Sequence, residues 1–205
     1  MKKHALSAML SIITCVLVAQ SETESTKNKL RFGFNFGANY SLLQSNEELP
    51  TYSKIYNGVG AKVGLLMDYS ISKNLLFSPK TEIVFNKSGV KTTNANNSIS
   101  DYEVLPISLN IMTHFVYKIG KGSTVPYLLI GPSLNLSLKR AKLQTDFQSK
   151  SNFTIDFGIG LENTFQHFIF APEIRYSLGL LNINSNPIIK SLNYHSISIV
   201  LNFKN

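Results

Sequence analysis

Beyond position 15 this chain has no cysteine, and Cys15 is its only one. Disulfides and cysteine metal centres are therefore excluded from nearly the whole length. Charge is scarce as well, with 16% of residues Asp, Glu, Lys or Arg. Apolar runs are short: none matches the ~20 residues that a helix needs to cross a bilayer. Mean hydropathy is +0.03, which does not flag a helical membrane protein and leaves a β-barrel open, where only alternate residues face lipid. Also missing are a nucleophile elbow, a metal-binding pair and a phosphate loop, so nothing implies catalysis or a cofactor. No dense Lys/Arg run is interleaved with aromatics, which argues against a nucleic-acid partner.

What is present begins with a leader. Met1-Lys2-Lys3-His4 is basic, Ala5 to Ala19 is mostly apolar, and Ala19-Gln20-Ser21 offers a small-residue cleavage site. This is the pattern of a cleaved export signal over residues 1–21, which takes Cys15 with it. A polar lead-in over 22–29 precedes a single domain, 30–205. Loss of Lys2 and Lys3 leaves 18 basic residues against 12 acidic ones, about +6, an excess suited to anionic lipid headgroups.

The domain opens on Leu30 to Leu42. Every even position (Leu30, Phe32, Phe34, Phe36, Ala38, Tyr40, Leu42) is apolar, and every odd one is Arg, Gly, Asn or Ser. Such period-2 alternation is a strand with two unlike faces. Its length suits a tilted membrane-crossing strand of about 9–11 residues better than a soluble strand of about 5–6. Seven more segments repeat the pattern: Val59 to Ile71, Leu75 to Phe85, Tyr102 to Tyr117, Val125 to Leu138, Phe153 to Leu161, Phe168 to Leu178, and a last one through Ile197, Ile199, Leu201 and Phe203. Leu66 breaks the alternation, and Pro79 removes a ladder donor. Leu43 to Gly58, Lys87 to Asp101, Lys139 to Lys150 and Leu181 to Asn193 are expected as long polar loops. Short turns separate the other strands. Long loops on one rim, with short turns and both termini on the other, predict an all-β fold: an eight-stranded antiparallel transmembrane β-barrel.

A soluble ligand-binding barrel would share the alternation with its faces reversed. Glycines on the polar face, and Lys62, Asp68, Lys80, Glu82, Asp156, Glu173 and Arg175 on that same face, favour an apolar exterior around a polar lumen. A basic residue at the lipid midplane costs about 2–4 kcal/mol. These seven residues form the candidate lumen charge network. Glu173 and Arg175 share a face, although spacing alone leaves open whether they touch. The network serves either as an ion or proton path or as structural filling; eight strands leave room for side chains rather than a wide pore. His114 and His167 are expected near short turns and His195 near the opposite rim, too far apart for one active site.

Several stretches together resemble a family: Phe32-Gly33-Phe34-Asn35-Phe36-Gly37, Ser78-Pro79-Lys80-Thr81-Glu82-Ile83, Tyr102-Glu103-Val104-Leu105-Pro106-Ile107, Pro126-Tyr127 leading to Gly131-Pro132-Ser133, and Glu173-Ile174-Arg175-Tyr176-Ser177. The chain is similar to the outer-membrane β-barrel proteins of Bacteroidetes, the porin-family or PorT-family proteins, and to the small OmpA and OmpX barrels in architecture. The resemblance implies the outer membrane of a Gram-negative cell and transfers no catalytic residues. The expected partners are outer-membrane lipid and a protein or surface ligand at the outer loops, with a monomer favoured. Three roles follow: a structural or binding barrel acting through its loops, a narrow channel for small solutes or ions, and an accessory part in protein secretion.

Overall fold

A computed structural model describes residues 29–45, 50–94, 96–138, 151–183 and 191–205. The expected leader and nearly all of the lead-in lie outside the described residues. Among the described residues eleven strands follow one another: β1 Leu30–Gln44, β2 Ser53–Tyr56, β3 Gly58–Ser70, β4 Leu75–Phe85, β5 Gly89–Thr93, β6 Ile99–Glu103, β7 Ile107–Lys118, β8 Thr124–Ser137, β9 Asn152–Thr164, β10 Ile169–Gly179 and β11 Asn193–Lys204. Eight of them close into an antiparallel barrel in the order β1-β11-β10-β9-β8-β7-β4-β3.

The stagger of the barrel can be read from its ladders. From Gly37, cross-strand partners lead through Lys62, Val84 and Ser108 to Ser137. In the other direction they lead through Val200, Glu173 and Gly160 to Tyr127. Both paths end on β8, ten residues apart. Each step between strands therefore climbs a little over one residue, as the tilt of a closed barrel requires.

Alternation now has a direction. Phe34 is 52% exposed, Leu65 69% and Ile199 59%, whereas Asn35, Glu82 and Val200 on the opposite faces are fully buried. The apolar face points outward and the polar face fills the lumen, which rules out the reversed, soluble barrel. Leu66, out of pattern in the sequence, faces the lumen opposite Gly33, whose missing side chain leaves it room. Proline is accommodated by local ladder breaks. Pairing of β3 with β4 skips from Leu66↔Lys80 to Tyr69↔Phe77 around Pro79, while Pro79 still sits opposite Thr113 of β7. Similar gaps lie at Pro132 and Pro172. Each proline thus loses pairing on one side and keeps it on the other.

Two expectations are corrected. Leu43 to Gly58 and Lys87 to Asp101 are not simple loops: they carry β2, β5 and β6, a second antiparallel sheet in the order β2-β5-β6. Tyr102 and Glu103 belong to β6, and the fourth barrel strand starts at Ile107 rather than Tyr102. Val104 and Leu105 lie between them, 2% and 0% exposed. Two adjacent residues both turned inward break period 2, and Leu105 manages it with a φ of 48°.

Candidate functional site

The lumen divides by level. Nearest the short turns, Lys204 Nζ donates to Asp68 Oδ2 at 2.6 Å and to Glu162 Oε2 at 3.3 Å. Ser78 Oγ donates to the other Asp68 oxygen at 2.6 Å. Glu162 also takes Lys118 and Arg31 on Oε1. Beside these ion pairs, Leu76, Val116, Tyr127, Leu129 and Ala171 form an apolar cluster.

One level up, Arg175 is the hub. Its Nη2 lies 2.7 Å from Glu173 Oε1 and 3.1 Å from Glu82 Oε1, its Nε 2.9 Å from Glu173 Oε1, and its Nη1 contacts both Glu82 oxygens. Lys80 Nζ donates to Glu173 Oε2 at 2.9 Å, and the Tyr127 hydroxyl donates to the same oxygen at 3.1 Å. Lys62 lies 3.5 Å from Glu82 and donates to Ser198 Oγ at 2.8 Å. The planar fork of Arg175 matches two carboxylates at once, which a lysine's point charge would not do. Tyr127 reaches Glu173 because its ring lies against Gly160, where any side chain would overlap it.

Of the seven candidate residues, Lys62, Lys80, Glu82, Glu173 and Arg175 are joined in this central network. Asp68 belongs to the Lys204 group, and Asp156 pairs with His114, whose Nε2 is 2.9 Å from Asp156 Oδ2. Glu173 and Arg175 do touch. His114 is therefore a lumen residue, 0% exposed. Sequence reading placed it only by its distance from a turn, although its parity on β7 matches that of Met112 and Val116, which also face inward. Glu162, Lys204, Lys118, Arg31 and Tyr127 also lay outside the candidate set. Glu162 and Lys204 could have been found by the same parity, but at strand ends alternation is short and its phase is easily lost.

Among the described residues, the loop-side half of the lumen carries no such ion pairs. Asn86 Oδ1 accepts from Asn39 Nδ2 at 2.7 Å, Ser41 Oγ at 3.1 Å and the Tyr194 hydroxyl at 3.0 Å, while its Nδ2 donates to the Leu105 carbonyl at 2.8 Å. Above it, Leu43, Val90, Val104, Leu105, Ile183 and Leu192, with Tyr194, pack into an apolar cluster against which Ile55 lies. This cluster is the apolar plug at the loop end of the lumen, and Val90 and Ile55 bring the β2-β5-β6 sheet onto it.

The outer face of that sheet is polar and aromatic. Lys54 and Lys91 are direct ladder partners, with Asp101 next in the row. The Tyr56 hydroxyl donates to Asp101 Oδ1 at 2.7 Å, and Lys91 Nζ sits 5.1 Å from the Tyr56 ring centre. Burial, with the hydrogen bond and charge of Asp101, pushes the Tyr56 phenol well above its usual range. Tyr52 and Ile99 stand exposed on the same rim. Among the described residues no group of three His, Cys, Asp or Glu side chains is placed to hold a metal ion.

Comparisons with known proteins agree with this architecture. The Neisserial surface protein A crystal structure superposes with a TM-score of 0.53 at 16% identity, covering 84% of this chain and 95% of that one. The outer membrane protein OprG of Pseudomonas aeruginosa gives 0.52 at 12% identity, covering 86% and 94%. At these identities the likeness concerns the fold alone. No curated protein sequence matches the chain. The family model described as outer membrane protein beta-barrel domain matches residues 18–185. That span is most of the chain, which therefore belongs to the outer membrane protein beta-barrel domain family.

Proposed function

We propose that this protein is a non-catalytic outer-membrane barrel that acts through its loop-side rim, as a binding or structural component of the cell surface. The observation that carries the reading is the folded β2-β5-β6 sheet seated on an apolar plug. A chain that needed only to span the membrane would have no use for ordered structure there. A sheet presenting Tyr52, Lys54, Tyr56, Lys91 and Ile99 outward offers aromatic and charged groups on a rigid support, the usual makings of a recognition surface. Replacing these five residues together by serine, none of which lies in the plug, is expected to abolish surface binding or adhesion by cells expressing the protein. Unchanged binding would overturn the reading.

The charged lumen supports the second reading, a narrow channel, less well. Each carboxylate of the central network is held by a cation within the wall, so the seven candidate residues read best as filling that ties strands together. Purified protein in planar bilayers should show no discrete conductance steps; steps of reproducible size would favour the channel. The accessory role in secretion rests on the resemblance to PorT-family proteins of Bacteroidetes, and co-purification of secretion components with the extracted barrel tests it. Export through a leader removed near residue 21 completes the proposal, and the N-terminal sequence of membrane-extracted protein checks it.

A further inference from the structure

We infer that a groove on the lipid-facing surface of β7 to β10 seats one acyl chain of a phospholipid whose net-negative headgroup rests on Lys73 and Lys121. The groove holds about 740 Å³ and is lined almost wholly by apolar side chains. Two rows of outward residues form it, and the ladders give their order. Leu75↔Tyr117↔Leu128↔Ile159↔Ile174 cross five strands. Phe115↔Ile130↔Phe157↔Tyr176 run beside them, two residues farther from the short turns. Leu128, Ile159 and Ile174 are branched aliphatics, whereas Phe115, Phe157 and Tyr176 carry longer rings. The first row is therefore the floor of the groove and the second its wall.

The stagger of the barrel sets the course of the groove. Leu75 opens β4 and Tyr117 stands one residue from the end of β7, both at the short-turn rim, while Ile174 is five residues beyond the start of β10. Climbing as it crosses the strands, the groove passes from the rim to the middle of the wall. Four strand spacings give it a length of about 19 Å. One leaflet of hydrocarbon is about 15 Å deep, half of a ~30 Å core, so a single acyl chain lying obliquely from the headgroup level fits the groove end to end. In lipid the hydrophobic effect does not favour such a contact, and close packing of the chain against the two rows supplies the attraction instead.

The rim end supplies a second, independent observation. Asn74 Nδ2 donates to the Lys118 carbonyl at 2.9 Å, and the Lys118 N–H donates to the Asn74 carbonyl at 2.8 Å. These bonds hold the β3–β4 and β7–β8 turns side by side at the mouth of the groove. Lys118 itself pairs inward with Glu162, but Lys73 and Lys121, one on each turn, are exposed. Among the described residues of this rim the acidic side chains are Asp68 and Glu162, and both are buried. No exposed aspartate or glutamate therefore opposes the two lysines. The Tyr117 ring, 53% exposed, ends the groove at this level, where a tyrosine sits well between hydrocarbon and water. Lysines so placed select a net-negative lipid over a zwitterionic one, whose own ammonium they repel. Short turns face the periplasm in outer-membrane barrels, so the lipid belongs to the inner leaflet.

The test uses the full-length mature chain in nanodiscs of mixed phosphatidylglycerol and phosphatidylethanolamine, with native mass spectrometry counting the lipids that stay bound on release. Retention of one phosphatidylglycerol in preference to phosphatidylethanolamine is expected. Ile159→Trp, which fills the floor, should abolish that retention, whereas Val63→Trp, at an exposed position of β3 outside the groove, should not. Lys73→Ser combined with Lys121→Ser should keep one lipid but lower the preference for phosphatidylglycerol about five-fold for each lysine lost. Heat-modifiable gel migration shows that each variant is folded. Retention unaffected by Ile159→Trp, or lost equally in Val63→Trp, would overturn the inference, as would an unaltered chain that keeps no lipid. Equal retention of the two lipids would overturn the choice of headgroup. A dimer that Ile159→Trp breaks would assign the groove to a second copy of the chain and overturn the lipid seat as well.

Discussion

The two halves of the lumen solve one problem in opposite ways. Toward the short turns, the inward faces carry full charges of both signs, each neutralised across strands that are distant in sequence: Arg175 meets Glu82 at 93 residues' separation and Lys204 meets Asp68 at 136. Toward the loops the inward faces of the described residues are neutral: Asn39, Ser41 and Tyr194 bond Asn86, Ser133 bonds Asn135, and Asn152 bonds the Tyr194 carbonyl. Charge pairs are strong and unforgiving in a low-dielectric interior, so removing one partner strands the other. Neutral groups cost less to leave unpaired and can exchange partners. The ionised half thus reads as a rigid spine that fixes strand register, and the neutral half as the part whose bonds can rearrange.

The comparison breaks most sharply at Arg175. Arg175→Ala leaves Glu82 and Glu173 buried against each other with only Lys62, Lys80 and neutral donors to hold them, and should destabilise the barrel by about 3–5 kcal/mol. The urea midpoint of the gel-mobility transition measures it. Arg175→Lys should recover part of that loss, since one ammonium replaces a two-carboxylate fork. Leu105→Ala should cost about 2–3 kcal/mol, at the lower end for a buried leucine because the plug can settle into the gap. That loss should be local. Hydrogen exchange should rise in β5 and β6 while β10 and β11 stay protected, whereas a uniform rise would mean that plug and spine unfold as one unit.

Much of this division was legible in the sequence, and the rest was hidden for physical reasons. Alternation places Lys62, Lys80, Glu82, Glu173 and Arg175 on inward faces without ambiguity, because a shift of one residue would turn each of them into lipid. Which cation meets which carboxylate depends on the stagger of the closed sheet, and no local pattern encodes it. The second sheet was missed because β2, β5 and β6 have four or five residues each, too few for a period to stand out among Ser, Lys and Thr. Val104-Leu105 carried a signal, two adjacent apolar residues where alternation demands one, but it blurs the start of a strand rather than announcing a plug.

Two smaller effects sharpen the contrast. Asn86→Ala leaves the Leu105 carbonyl and the donors of Asn39, Ser41 and Tyr194 to find other partners. A cost of about 1–2 kcal/mol is expected, well short of the cost at Arg175, and protease sensitivity should increase between β5 and β7 but not elsewhere.

The smallest effect tests whether the spine works alone. On the outer surface Phe203 of the last strand lies among Phe34, Phe36 and Phe170, with ring centres 5.3, 5.6 and 5.1 Å away. These rings cross the seam where the first strand meets the last. In lipid the hydrophobic effect gives them little reason to associate, so what remains is ring packing worth about 0.5–1.5 kcal/mol. Phe203→Ala should therefore lower the unfolding midpoint only slightly in bilayers. If it cost as much as Arg175→Ala, closure of the barrel would depend on its lipid face as much as on the ions within.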